Sequence, residues 1–314
     1  MTYRNALPQL NGRFLITDGG LETDLVFNKG VDLPAFAAFP LIAKAEGRRL
    51  LEEWFDGYAR IAEAHGVGLL LESPTWRAHG DWGPVLGYEP SDLDDLNRRA
   101  IEMLLRLREV YSRSVDPVVV SGCIGPRGDG YVVDAAMDAA AAADYHSRQI
   151  GVLADCGVDM ISAFTLNDAA EAAGIVRAAW DADVPAVISF TLETDGRLPT
   201  GQRLDEAIAE VDAEGDGGPA YYMVNCAHPT HFEETFASGG EWTRRIVGVR
   251  ANASKCSHEE LDESTELDAG DAAELGRDHA RLRRRLPHLT VLGGCCGTDH
   301  RHVAEIGAAW RAAA

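Results

Sequence analysis

Lysine is almost missing from this chain: Lys29, Lys44 and Lys255 are its only lysines, and Lys and Arg together number 29 against 50 Asp and Glu. The formal charge of −21 repels phosphate backbones and anionic membrane surfaces, which excludes nucleic acid and membranes as main partners. Such an acidic, Lys-poor, Ala-rich surface points to a salt-adapted or GC-rich host rather than to chemistry. Long apolar runs are missing as well. No stretch approaches the roughly 20 apolar residues of a membrane span, and residues 1–13 hold no apolar run of signal-peptide length, so the chain reads as soluble and cytoplasmic. Cysteine is sparse, six in 314 residues, too few for a disulfide scaffold. The adjacent Cys295 and Cys296 cannot pair with each other without severe strain, so the thiols are expected to be reduced.

What is present is a 46% hydrophobic composition, enough to bury a large core in one domain spanning residues 1–314. Short apolar or β-branched runs recur at 14–18, 67–72, 118–122, 160–164, 186–191, 221–225, 246–251 and 290–292. Amphipathic stretches lie between them, at 48–65, 93–113, 135–155, 171–181, 271–286 and 300–311. This alternation signals βα units, and eight strand-like runs predict a closed (β/α)8 TIM barrel. An open doubly wound sheet is the alternative, because counting units does not show closure. The turn-rich connections 73–90 and 194–203 follow predicted strands, and so belong to the face where barrel enzymes place their chemistry.

The strongest chemical pattern is Gly293-Gly294-Cys295-Cys296-Gly297-Thr298, directly after the last predicted strand. Glycines on both sides let the backbone turn two adjacent thiols toward one point. Cys226 follows Asn225 at the end of the sixth predicted strand, which in a barrel lies on the same face two strands away. Three thiols then converge. Zinc takes thiolates tetrahedrally, and three protein ligands leave the fourth position to water or substrate. A substrate thiol entering there is held as thiolate at neutral pH, which suits its alkylation. Cys123, Cys156 and Cys256 have no thiol or imidazole at ligand spacing and read as packing residues.

These residues carry a resemblance. With the closing Gly-Gly-Cys-Cys-Gly-Thr string, Thr17-Asp18-Gly19-Gly20-Leu21-Glu22-Thr23, Gly122-Cys123-Ile124-Gly125-Pro126, Tyr145-His146-Ser147-Arg148-Gln149, Ser189-Phe190-Thr191 and Val224-Asn225-Cys226, the sequence resembles the homocysteine S-methyltransferase family over essentially its whole length. The resemblance implies a zinc-dependent barrel that moves a methyl group to homocysteine from an onium donor of the S-methylmethionine, S-adenosylmethionine or betaine type. It implies Cys226, Cys295 and Cys296 as zinc ligands and catalytic residues, and Asp18, Gly19, Gly20, Glu22, Thr75 and Asn225 beside the substrate. The physical reading of the first strand agrees: a carboxylate at its top can hold an ammonium group, and the glycines beside it permit close backbone approach.

One position departs. Where the family usually shows Glu-Thr at the end of the fourth strand, for the substrate's amino group, this chain reads Ala163-Phe164-Thr165. That leaves room for another thiol or selenol lacking the ammonium, or for Glu72 or Glu193 on neighbouring strand ends to compensate. His228 and His231 are not needed as ligands beside three thiolates, and His300 and His302 read as surface or supporting residues. Trp76, Trp82 and Tyr88 either wall the pocket, where they could wrap a methylated cation, or pack under the loop. The alternative functions are a zinc hydrolase or lyase on the same barrel, disfavoured because three thiolates lower the metal's electrophilicity, and a thiol-based redox sensor. No Gly-x-Gly-x-x-Gly fingerprint indicates a separate nucleotide site, and a homo-oligomer is compatible with the sequence.

Overall fold

Closure of the sheet is decided by the first strand. In the computed structural model, which describes residues 2–132, 137–215, 217–237 and 239–312, β1 (Leu15–Ile16) pairs in parallel with both β2 (Gly68–Glu72) and β8 (Val291–Gly294), setting Leu15 against Gly68 on one side and Val291 on the other. Between them run β3 (Val118–Ile124), β4 (Met160–Leu166), β5 (Ala186–Thr191), β6 (Tyr221–Asn225) and β7 (Ile246–Ala251), each beside its sequence neighbours. The result is the expected (β/α)8 barrel, not the open sheet. Every strand residue is buried, as parallel strands covered on both faces require.

The outer layer is α1 (Ala45–His65), α2 (Pro90–Tyr111), α3 (Ala139–Asp155), α4 (Ala169–Asp181), α5 (Leu204–Glu214), α6 (Pro229–Ala237), α7 (Ala272–Arg285) and α8 (His300–Ala312). Local chemistry sets several ends. Asp138, Asp168 and Asp271 accept from the backbone N–H three residues on, at 2.8, 2.9 and 2.7 Å, and so cap α3, α4 and α7. The predicted helix over 135–155 begins with two residues outside the described ones. Helices α5 and α6 were not anticipated from the sequence, although Leu204, Ala207, Ile208 and Val211 bury one face of α5 at helical spacing.

The barrel is filled, not hollow. Leu15, Leu70, Val119, Met160, Val187, Tyr221, Met223 and Val291 form its inner core. Its N-terminal end is plugged by Gln9, whose amide donates to Tyr221 Oη at 3.1 Å. Nearby, Asp159 accepts from the N–H groups of Thr2, Tyr3 and Val120 and pairs with Arg108 at 2.9 Å. With that end sealed, access to the interior is from the C-terminal ends of the strands. Among the described residues, no helix is long and apolar enough to cross a membrane.

Candidate active site

Three sulfur atoms meet at the C-terminal mouth of the barrel. The Sγ atoms of Cys226, Cys295 and Cys296 all lie within 4.8 Å of one another, with Cys226 and Cys296 at 3.9 Å. Four-coordinate ligation at about 2.3 Å per bond sets sulfurs roughly 3.8 Å apart, so Cys226 and Cys296 already stand at the spacing of a tetrahedral thiolate site, with Cys295 close enough to complete a group of three. The backbone accounts for the convergence. The Cys295 N–H donates to the Ala251 carbonyl at 2.8 Å, Gly297 turns the chain at φ 77°, and its N–H donates to Thr23 Oγ1 at 3.0 Å. Gly20 lies so close that a Cβ there would collide with the Cys295 carbonyl. Cys226 itself sits at φ 52° and Thr165 at φ 63°, a region non-glycine residues seldom enter and hold only where their surroundings force it.

Asn225 supplies that force. Its Oδ1 accepts from the Thr165 N–H at 2.9 Å and Ser189 Oγ at 2.7 Å, while Nδ2 donates to Thr165 Oγ1 at 2.9 Å. Asn225→Ala orphans these buried donors and is expected to lower stability by about 2–4 kcal/mol, read as a fall in the urea midpoint at unchanged slope. A midpoint within error of wild type would show that the bonds are not needed.

Electrostatics favour a cation among the sulfurs. Hydrogen bonds from the Cys295 and Cys296 thiols hold Cys226 well below the usual thiol range, and the same bonds, with burial and the charge on Cys226 adding to them, push Cys295 up to about 12 and Cys296 up as well. Three thiols this close cannot ionise together unless positive charge lies between them. His258 fixes the Cys226 backbone, its Nε2 donating to the Cys226 carbonyl at 2.6 Å with Nδ1 on Glu193 at 3.1 Å. Tyr131 stacks on that imidazole, ring centroids 4.2 Å apart, and brings its hydroxyl to 3.5 Å from Cys296 Sγ.

The thiols open into a cavity of about 420 Å³. A sequence profile of the homocysteine S-methyltransferase family matches residues 15–310. The chain belongs to the homocysteine S-methyltransferase family. Homocysteine S-methyltransferase 3 of Arabidopsis thaliana is 24% identical over 323 residues, covering 94% of this chain and 89% of its own. Homocysteine S-methyltransferase 2 of Zea mays is 23% identical over 320 residues, with the same coverage of 94% and 89%. The metallated form of the homocysteine methyltransferase MmuM from Escherichia coli shares the fold at a TM-score of 0.72 and 18% identity, covering 96% of this chain and 98% of its own.

In this methyltransferase the cavity is lined by Asp18, Gly19, Gly20, Glu22 and Asn225 together with the three cysteines. Thr75 is placed differently. It does not line the cavity, because its hydroxyl is turned to the Cys123 carbonyl at 2.7 Å and to Ser73 Oγ at 2.6 Å, a buried brace between β2 and β3. Of the three loop aromatics only Trp76 reaches the cavity, its Nε1 donating to the Phe164 carbonyl at 3.1 Å. Trp82 stacks under Arg77, and Tyr88 packs edge-on to Phe39. Cys123 is buried yet lines the cavity; Cys156 and Cys256 do not.

The residue that sequence reasoning missed is Arg250. It is 8% exposed, its Nη2 pairs with Asp18 Oδ1 at 2.5 Å and donates to the Gly19 carbonyl at 3.1 Å, and its Nε donates to the Gly294 carbonyl at 3.0 Å. Its guanidinium lies 4.9 Å from the ring centre of Phe164, which gives that aromatic a role the sequence did not suggest. A charge inside the apolar run of β7, at an inward position, was the available signal. Tyr131 and His258 were missed as well, because each lies in a strand-to-helix connection whose path the strand pattern does not determine, His258 opening a short helix at His258–Asp262.

Burial also acts on Glu72, raising its carboxyl from 4.5 to about 7 despite Arg250 nearby. The protonated acid is therefore the form the fold favours. Its contribution is complete below pH 4.5 and is lost as pH rises through about 7, amounting to roughly 3 kcal/mol across that window. Glu72→Gln, a mimic of the protonated acid, is expected to match wild type near the lower limit and to exceed it in urea midpoint above the upper one. Equal pH dependence of the two proteins would contradict this.

Proposed function

We propose that the chain transfers a methyl group from a cationic onium donor to the sulfur of homocysteine or a closely related thiol, with zinc held by Cys226, Cys295 and Cys296. The convergence of three sulfurs within 4.8 Å at the barrel mouth carries this reading. Zinc bound there would lower the pKa of an acceptor thiol so that it reacts as thiolate at neutral pH. In the transfer an S–C bond forms and the C–S or C–N bond of the onium breaks. The donor leaves as a neutral sulfide or amine, and the acceptor's proton goes to solvent.

The protein's own share is positioning and charge. Asp18, Glu22, Glu72, Asp129, Asp262, Glu266 and Asp268 line the cavity against the two cations Arg77 and Arg250, a balance that concentrates a positively charged donor. Trp76, Phe27, Phe36 and Tyr131 add aromatic faces to the same walls, surfaces that suit a methylated cation. Asn225 and His258 hold the Cys226 segment in place. Incubation of zinc-loaded protein with homocysteine and, in turn, S-methylmethionine, S-adenosylmethionine or betaine tests the reading by methionine formation. About one zinc per chain with methionine from at least one donor is expected. A metal-free folded protein, or hydrolysis of esters or amides with no methylated thiol, would overturn it.

A further inference from the structure

The acids at or just past the strand ends, Asp18, Glu72 and Glu193, are unequally committed. Asp18 at the top of β1 has both oxygens occupied, Oδ1 by Arg250 at 2.5 Å and Oδ2 by Trp54 Nε1 at 3.2 Å. Glu193 is engaged with His258 at 3.1 Å. Phe164 offers only its ring, already set against Arg250. Glu72 differs from all of these. It ends β2, lines the same cavity as the three cysteines and is 4% exposed. Its Oε1 accepts from Ser162 Oγ at 3.0 Å, and Ser162 is held in turn by Ser121 at 2.8 Å, whereas Oε2 is buried without any hydrogen-bond partner. A carboxylate oxygen buried unpaired in a binding cavity is costly unless a ligand satisfies it. Arg250 does not do so, since its Nε and Nη2 are directed to Gly294, Gly19 and Asp18.

We propose that Glu72 receives the ammonium group of the acceptor and thereby selects an amino-acid thiol. This rests on the methyl-transfer reading for its acceptor, and of the two acids that the sequence offered in place of the missing fourth-strand Glu it chooses Glu72 over Glu193. Ser121 and Ser162 fix one oxygen so that the other is presented without loss of side-chain freedom on binding.

The test is calorimetric binding to the zinc-loaded protein at about pH 8, where the Glu72 carboxyl is ionised. The ligands are homocysteine and mercaptobutanoate, which is homocysteine without its amino group. Wild type is expected to bind homocysteine more tightly. Glu72→Gln, with zinc content confirmed equal, is expected to weaken homocysteine about 10- to 100-fold, the range for a hydrogen bond to a charged group, and mercaptobutanoate less than about threefold. Equal affinity of wild type for the two ligands, or loss of neither or both in the variant, would overturn the role of Glu72 while leaving methyl transfer in place. If wild type bound neither thiol, the acceptor reading and this inference would fall together.

Discussion

Cys226→Ser is expected to strip the metal and to lower methyl transfer at least about a thousandfold, since several kcal/mol of activation by the metal are lost with it. Serine preserves the volume of the side chain, so the barrel is expected to stay folded. What changes is the donor: an alcohol is not deprotonated under conditions that ionise a metal-bound thiol. Cys226 is also the one cysteine of the triad that follows β6, 3.9 Å from Cys296 across the mouth, and Cys123, which lines the same cavity, is not among the three sulfurs that lie within 4.8 Å of one another. Elemental analysis of the variant, alongside turnover, checks the result. Full turnover without metal would sink the mechanism. Cys295→Ser and Cys296→Ser are expected to behave alike, whereas Cys156→Ser, at the C-terminal end of α3 and away from the cavity, should leave both metal and turnover unchanged.

Arg250→Met is expected to cost about 3–5 kcal/mol of stability, because it leaves the buried Asp18 carboxylate without its ion-pair partner. The guanidinium joins β7 to Asp18 and Gly19 after β1 and to Gly294 of β8, so the turn carrying Cys295 loosens with it. For a chain of this size such a loss lowers the melting temperature by roughly 5–8 °C. Burial alone pushes the Asp18 carboxyl up, and Arg250 and Trp54 pull it back; with Arg250 gone, Asp18 is expected to take up a proton. The double variant Asp18→Asn with Arg250→Met therefore recovers part of the loss, since it removes the unpaired charge rather than stranding it. Thermal denaturation of the single and double variants is the measurement. A single variant within about 1 kcal/mol of wild type would show that the pair is not what holds the site floor together.

The barrel was legible because most strands are apolar runs of ordinary length between polar helices, and six of the eight predicted runs overlap their strands almost end to end, whereas β1 keeps only Leu15–Ile16 of the run 14–18. At the last strand the pairing extends to Gly294, since two glycines carry the ladder onward where apolar character has already ended. The thiol triad was legible for a different reason. Adjacent cysteines flanked by glycines, and a third at a strand end, need only the common direction of parallel strands to meet. Arg250 was only half legible, since its charge stood out within β7 but its partners Asp18 and Gly19 follow β1, joined to β7 only by closure of the barrel through β8; Tyr131 and His258 lie in connections whose path the strand pattern does not determine.

Hydrophobic periodicity and the placement of glycine and cysteine by themselves determined the fold class, the face that carries the chemistry and the three sulfurs, all of which follow from local pattern and the geometry of a parallel sheet. Only the tertiary structure decided which carboxylates are available. Asp18, Glu72 and Glu193 look alike in sequence, each an acid at or just past a strand end. One is neutralised by an arginine from the seventh strand, one is held to a histidine after it, and one keeps a buried oxygen without a partner. Whether an acid is spent on its own protein or left for a ligand depends on which donors the folded chain brings within about 3 Å of it, and closure of the barrel sets those distances.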